Sequence, residues 1–417
     1  MIPTLILQTW LCGLLSLGIL SGAIYFAHEW QQRSWVWDAS LGASVFQPEV
    51  GMNEVTGLLA AACVLVLITL FGGSLLKLVL SSSKPGQGAN AVPPYDSITP
   101  RISQQIQRPD GTSLRVEVYG PENGMPIVLT HGWGLDSTEW TYFKREMADR
   151  FRLIVWDLPG LGKSTRPNNR DFSLDKMAHD LEAVLEFAGS KKAILVGHSI
   201  GGMIVMTFCR HFPAALGTRV QGLVLTHTTP TNPVRTTSGA AFLTAIQTPV
   251  LKPLMWLTIA LSPVVWVMNW LSYRNGSMHI TTKRGSFAGT ESWAQIDFAA
   301  RFQLRASPGV VARGMLGMME YDATDVLPQI NVPTLVIAGS DDTTTLPRAS
   351  QAIQHAVPNG HLTTLIPAKH LGLVEHHEEY AEKVREFSFS SQNQEVPETA
   401  PLPLNVIHPF PQTGAKL

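Results

Sequence analysis

Six short apolar runs constrain this chain more than any other feature. "PIVLT", "RLIVW", "AILVG", "GLVLT", "TLVIA" and "LTTLI" are too short to be packed helices, and Arg152 is the only charged residue among them. A strand reads as an unbroken apolar run when both its faces are covered, as in a parallel sheet lying between helices. Amphipathic stretches alternate with the runs. In "SLDKMAHDLEAVLEFAG", Ser173 is placed to cap the start of a helix and Gly189 to end it. "SLRVEVYG" alternates instead, the pattern of a half-exposed strand. Strand, helix, strand in repetition predicts an α/β fold, a mostly parallel central sheet flanked by helices over 101–226 and 333–389. The interval 227–332 lacks strand rhythm and is expected to be an inserted helical cap.

Two stretches outside this rhythm, Met1–Ala27 and Val55–Leu76, contain no charged side chain. About 20 apolar residues cross the roughly 30 Å of bilayer hydrocarbon, so two transmembrane helices are expected, at about 2–27 and 55–76, making 1–80 a membrane anchor. The first stretch is a poor signal peptide: it has no basic leading region, its apolar run is too long, and no small-x-small cleavage site follows. Trp30, Trp35 and Trp37 between the stretches suit a headgroup-level aromatic belt, and Arg33 is the only Lys or Arg there. Lys77, Lys84 and Arg101 follow the second stretch, so the positive-inside tendency places everything after residue 80 on the cytoplasmic side. Residues 81–100, rich in Ser, Gly and Pro, read as a linker, and the proline-rich 390–417 as a disordered tail. The formal net charge of −1 gives no basic surface for nucleic acid. Cys12, Cys63 and Cys209 form neither a disulfide framework nor a zinc spacing, and no metal or organic cofactor is called for. No feature of the sequence specifies an oligomeric state.

Between "AILV" and the helix-compatible "GMIVMTFCRHF" stands Gly197-His198-Ser199-Ile200-Gly201. A serine held on a sharp strand-to-helix turn needs flanking residues without Cβ atoms, and the helix N-terminus that follows favours developing negative charge. Such a serine is a weak nucleophile until a base, oriented by a third group, takes its proton. "TLVIAGSDD" places Asp341 and Asp342 just past one apolar run, and "LTTLIPAKH" places His370 just past the next.

With these marks in this order, residues from about 110 to 388 resemble the α/β-hydrolase fold family with a helical cap. His131-Gly132-Trp133-Gly134 resembles its His-Gly oxyanion loop, and "DLPGLGKS" (157–164) its glycine-rich loop. The resemblance implies Ser199 as nucleophile, His370 as general base and then acid, and Asp342 as the orienting acid. It implies the backbone N–H groups of Trp133 and Ile200 as the oxyanion hole. The family often has proline four residues after its acid, whereas Pro347 lies five after Asp342, which keeps Asp341 as an alternative. Lys369 stands where the family usually has glycine, while Glu375 keeps a common family spacing from His370. A membrane-anchored serine hydrolase that cleaves a lipid-like or hydrophobic carboxylic ester through an acyl-enzyme is the resulting expectation, with the bilayer and a small hydrophobic ester as partners. Thioesterase, amidase or cofactor-free haloperoxidase chemistry, and a catalytically inactive membrane-tethered binding protein, are the alternatives.

Several features read otherwise. "DLPGLGKS" nearly matches a phosphate-binding loop, but Asp157 replaces its first glycine and would repel phosphate. His131 and His198 are expected to pack and hydrogen-bond, and His376 and His377 to lie on a solvated helix face. Asn275-Gly276-Ser277 is a glycosylation sequon only in a secretory lumen. The charge-free Pro253–Tyr273 is long enough to cross a membrane, but one crossing there would separate Ser199 from His370. A bent helical pair, as core or as a surface lid carrying Trp256, Trp266 and Trp270, is expected instead.

Overall fold

The structure, a computed structural model, describes residues 2–50, 53, 55–81 and 98–392. Most of the expected linker and tail therefore lies outside the described residues. Two long helices come first, α1 (Ile2–Ser34) and α2 (Thr56–Ser81), joined through a small antiparallel hairpin of β1 (Trp35–Asp38) and β2 (Ala43–Phe46). Leu5–Ser34 and Thr56–Val79 are each long and apolar enough to cross a membrane. α1 extends past the charge-free stretch because polar residues with good helix propensity follow it, and Glu29 and Arg33 close an i,i+4 ion pair at 2.9 Å.

β3 (Ile102–Gln107), β4 (Ser113–Tyr119), β5 (Pro126–Thr130), β6 (Arg152–Trp156), β7 (Ala193–His198), β8 (Val220–Thr226), β9 (Thr334–Gly339) and β10 (Gly360–Leu365) form one sheet. Its order is β10-β9-β8-β7-β5-β6-β4-β3. The pairs from β10 to β6 are parallel, and β4 and β3 add on antiparallel. The chain thus has the mostly parallel central sheet that the apolar runs predict. β5, β7 and β9 are buried along their whole length. β10 departs from the expectation: as an edge strand with one neighbour it is mostly half-buried or exposed, and Ile366 just beyond it is exposed.

Period-two side chains divide the core between the two faces. Val128, Ile154 and Trp156 join residues of α4 (Leu174–Ala188), α5 (Ile200–His211) and α12 (Pro347–Ala356) on one face. Ile127, Leu129, Leu153 and Val155 meet α3 (Thr141–Met147), α13 (Gly372–Glu375) and α14 (His377–Gln392) on the other. Ser173 caps α4 by accepting from the Lys176 N–H, and Gly189 ends that helix at φ 97°. α12 and α14 also frame the loops that carry Asp342 and His370.

All six helices between β8 and β9 belong to an insertion: α6 (Ala240–Ile246), α7 (Lys252–Ala260), α8 (Ser262–Arg274), α9 (Ser277–Ser286), α10 (Trp293–Arg305) and α11 (Pro308–Met319). The stretch Ala240–Ala260 meets α8 at 96°, so the apolar segment is a bent pair rather than one straight helix. The bend falls at Leu261 (φ −99°, ψ 24°), with Pro263 opening α8. α8 lies along α1. A Cβ on Gly13 would come within 2.8 Å of the Met268 Cβ, Ser16 Oγ is 3.0 Å from Ser272 Oγ, and the Asn275 amide donates to Ser16 at 2.8 Å. Gly72 of α2 approaches the Asn275 carbonyl so closely that a Cβ there would be 2.5 Å from its oxygen. Asn275, the sequon asparagine, is thereby engaged between helices.

A close crossing lies where α5 leaves β7. A Cβ on Gly201 would sit 2.2 Å from the Thr130 carbonyl oxygen at the end of β5. Gly201→Ala is therefore expected to lower stability by about 1–3 kcal/mol or to prevent folding, read as the denaturant midpoint of the purified full chain. A midpoint equal to wild type would show that the crossing has slack.

Candidate active site

Ser199 sits at φ 54° and ψ −117°, a strained conformation for a residue with a Cβ. The surroundings enforce it. Ser199 N–H donates to the Thr226 carbonyl at 2.9 Å, Thr228 Oγ1 donates to the Ser199 carbonyl at 2.6 Å, and a Cβ on Gly197 would lie 2.4 Å from the Gly201 carbonyl carbon. Ser199 heads α5 without using its side chain as a cap. Its hydroxyl instead meets His370, with Oγ 3.0 Å from Nε2, and His370 Nδ1 is 2.9 Å from Asp342 Oδ2.

Asp342 and Asp341 diverge. Asp342 is buried, its Oδ1 accepting from Thr344 N–H (2.7 Å) and Thr345 N–H (3.1 Å), and its Oδ2 from Thr345 Oγ1 (2.9 Å). Asp341 faces solvent and accepts from Ser340 Oγ at 2.6 Å. The extra residue before Pro347 is accommodated in the Thr343–Thr345 turn, which wraps the Asp342 carboxylate. Burial pushes the His370 imidazole down to about 4 against the opposing pull of Asp342. Burial alone would raise the Asp342 carboxyl, but the charge and hydrogen bond of His370, with His227 behind them, hold it well below the ordinary range.

The two expected oxyanion donors lie on the neighbouring loops. Ile200 begins α5, where the first N–H groups have no intrahelical acceptor. Trp133 follows β5; its indole N–H donates to the Val311 carbonyl at 2.8 Å, and its ring is so close to α11 that a Cβ on Gly314 would meet it at 2.0 Å. This loop is braced by a residue whose role the sequence did not signal. Glu139 is 2% exposed, accepts from Gly132 N–H at 2.9 Å and pairs with His198 Nδ1 at 2.5 Å. His198 Nε2 in turn meets the His370 carbonyl at 3.0 Å. One buried pair thus ties together the loops after β5, β7 and β10. His227 is the second such residue. It is fully buried with Nδ1 3.6 Å from Asp342 Oδ2, and burial pushes its imidazole down to about 3.

The remaining histidines and loops have structural partners. His131 Nε2 accepts from Leu158 N–H at 2.9 Å. The Asp157 carboxylate accepts from Ser137 N–H (2.7 Å) and Lys163 N–H (2.8 Å) and occupies the space inside "DLPGLGKS", where a phosphate would have to sit. His376 is partly exposed, but His377 is not on a solvated face: it is buried and stacks on Tyr142 at 4.6 Å. α3, packed against α14, covers it. Glu375 accepts from the backbone of Ala288 (2.9 Å) and Thr290 (2.9 Å), tying the histidine turn to the insertion.

The alpha/beta hydrolase family profile matches residues 127–383, well over half of the chain. The chain belongs to the alpha/beta hydrolase family. Among its relatives is the pimeloyl-[acyl-carrier protein] methyl ester esterase of Aeromonas salmonicida, 27% identical over 283 residues that make up 66% of this chain and 99% of that one. The non-heme chloroperoxidase of Streptomyces lividans is 27% identical over 56% of this chain and 80% of its own length. A solved thermophilic esterase from Thermogutta terrifontis is 26% identical, covering 70% of this chain and 98% of that one with a TM-score of 0.55. The two esterases are matched almost in full while about a third of this hydrolase is left over, and the family match begins after both apolar helices.

Removing the Glu139 carboxylate would leave His198 and the Gly132 N–H buried without an acceptor. Glu139→Ala in this hydrolase is expected to cost about 3–5 kcal/mol, and Glu139→Gln less, because an amide oxygen still accepts from Gly132. Chemical denaturation of the three proteins side by side checks the ranking.

Proposed function

We propose that this hydrolase is a membrane-anchored serine esterase that cleaves hydrophobic carboxylic esters through an acyl-enzyme. Ser199 Oγ attacks the ester carbonyl as His370 Nε2 takes its proton. Asp342 holds the imidazole in the tautomer that leaves Nε2 free to accept. The N–H groups of Trp133 and Ile200 take the oxyanion, where one donor is typically worth about 2.7–4 kcal/mol. His370 then protonates the leaving alcohol, and water, activated by the same imidazole, releases the acid. The observation that carries this reading is the continuous Ser199–His370–Asp342 hydrogen-bond chain under a strained serine. The esterase names among the relatives support the bond class.

The chloroperoxidase relative favours cofactor-free haloperoxidase chemistry on the same triad as the second reading. It would appear as halide- and peroxide-dependent halogenation abolished by Ser199→Ala.

Membrane attachment is supported by α1 and α2, and the positive-inside tendency puts the hydrolase unit on the cytoplasmic side. About 20 residues of helix, at 1.5 Å each, match roughly 30 Å of hydrocarbon. Counted back from Ala27, the last residue before His28 and Glu29, that length reaches Gln8. The contacts of Trp10 with Thr258 and of Ser16 with Ser272 then fall inside the hydrocarbon, so α7 and α8 dip into the near leaflet. Trp256, Leu257, Val264, Trp266 and Val267 on that bent pair are exposed, as a lipid-facing surface requires.

A fluorophosphonate probe should label wild-type membranes and leave Ser199→Ala unlabelled; absence of label on folded wild type would overturn the proposal. Asp342→Asn should lower kcat by roughly 10⁴, with Asp341→Asn close to wild type. The base form of His370 is the reactive one, and its lowered pKa keeps that form populated in mild acid. The kcat/KM of ester hydrolysis should therefore stay flat from pH 7 to about 5, with its acid limb below the ordinary histidine value of about 6.5. An acid limb at or above that value would contradict the assignment.

A further inference from the structure

α1 enters the hydrolase unit as well as leaving it. Ile6 is buried at 3% exposure in the same apolar cluster as Met315 of α11 and Val234, and Leu5, Leu7 and Trp10 pack against that cluster. The Trp10 indole N–H donates to Thr258 Oγ1 at 2.9 Å, fixing the first turns of α1 against α7. Leu5, Ile6 and Thr9 line a largely apolar pocket together with residues of the insertion, including Phe302 and Met315. The same pocket is lined by Trp133, which carries one of the proposed oxyanion donors, and by Leu371, the residue after His370 on the histidine turn.

We infer that α1 is a wall of the substrate site, with Leu5, Ile6 and Thr9 bounding the pocket that receives the acyl chain of the ester. This rests on the proposed esterase function and deepens it. The family match starts at residue 127, so this wall belongs to the part of the chain outside the matched fold. The ligand chemistry follows from the lining: leucine, isoleucine, phenylalanine and methionine side chains stabilise an apolar chain, and no charged side chain lines the pocket to take an ionic head. The position of the wall gives the route. α1 carries exposed Leu11, Leu14 and Leu15 and α8 carries exposed Val264 and Val267, so both helices offer apolar surface beside the contact through which α1 leads to the pocket.

The test is the chain-length profile of the full chain in detergent micelles. The ratio of kcat/KM for p-nitrophenyl palmitate to that for p-nitrophenyl butyrate is measured within each variant. Ile6→Trp and Thr9→Trp, which fill the pocket, should lower this ratio about tenfold or more. Ile6→Ala, which enlarges it, should raise the ratio several-fold, in line with the worth of one or two methylenes in an apolar site. Unfolding midpoints identify any variant that fails to fold, and Ile6→Ala and Thr9→Leu decide the matter if the tryptophan variants do. An unchanged ratio in folded variants overturns the inference while leaving esterase activity standing. Failure of the esterase proposal itself appears instead in the wild type, as absence of hydrolysis of both esters and of fluorophosphonate label.

Discussion

The contact between Gly201 and the end of β5 governs how the site is assembled. A helix can leave β7 this sharply only if its first turn passes within van der Waals range of the neighbouring strand's last carbonyl, and a side chain there would push α5 away. The close crossing brings the loop after β5 and the turn after β7 side by side, so that two backbone N–H groups from different elements can face one point. The strain at Ser199 is held by bonds on both sides of it, from Thr226 and Thr228 on the adjacent strand and its loop. Parallel strands deliver all of these loops to one edge of the sheet, which is why residues far apart in sequence meet there.

Around that crossing the protein places buried polar groups that need each other. Glu139, His198 and the His370 carbonyl form a relay in which every member is inaccessible to water. A buried carboxylate without a partner is very costly, so the brace is stable only when the loops after β5, β7 and β10 are all in register. The pair adds little net stability compared with an apolar core. Its consequence is positional: displacement of any one loop strands a buried polar group.

The sequence revealed the strands that are covered on both faces, because burial leaves a direct mark on composition. It also revealed Ser199, Asp342 and His370 as candidates, because each lies at the end of such a run. β10 misled as an apolar strand since three hydrophobic residues and two threonines suit an edge as well as a centre. Glu139 and His227 were invisible for a different reason. Glu139 lies in a short polar turn, "DSTEW", that reads as surface, and its partner is 59 positions away at His198. His377 misled similarly, since only the packing of α3 onto α14 covers it. Choosing Asp342 over Asp341 depends on which carboxylate the Thr343–Thr345 turn wraps, and adjacent identical residues give no pattern to separate them.

The relation between α1 and the insertion bears on how a helix outside the matched fold can border a pocket within it. Two apolar helices in lipid gain little from burying apolar surface against each other, so close packing and partnered polar groups have to fix their register. Here Gly13 admits Met268, while Ser16 meets both Ser272 and Asn275, three polar groups that satisfy one another in otherwise apolar surroundings. Gly72 and Gly73 admit the last turn of α8 from the α2 side in the same way. A flexible tether would need none of these contacts, since its function is only to limit distance. With the register set at Ser16, the turns of α1 that precede it are carried to a fixed depth beside Thr258 and Met315. A helix pinned in that manner presents the same side chains to the pocket in every molecule, and the shape of the pocket becomes a property of Leu5, Ile6 and Thr9 as much as of the insertion.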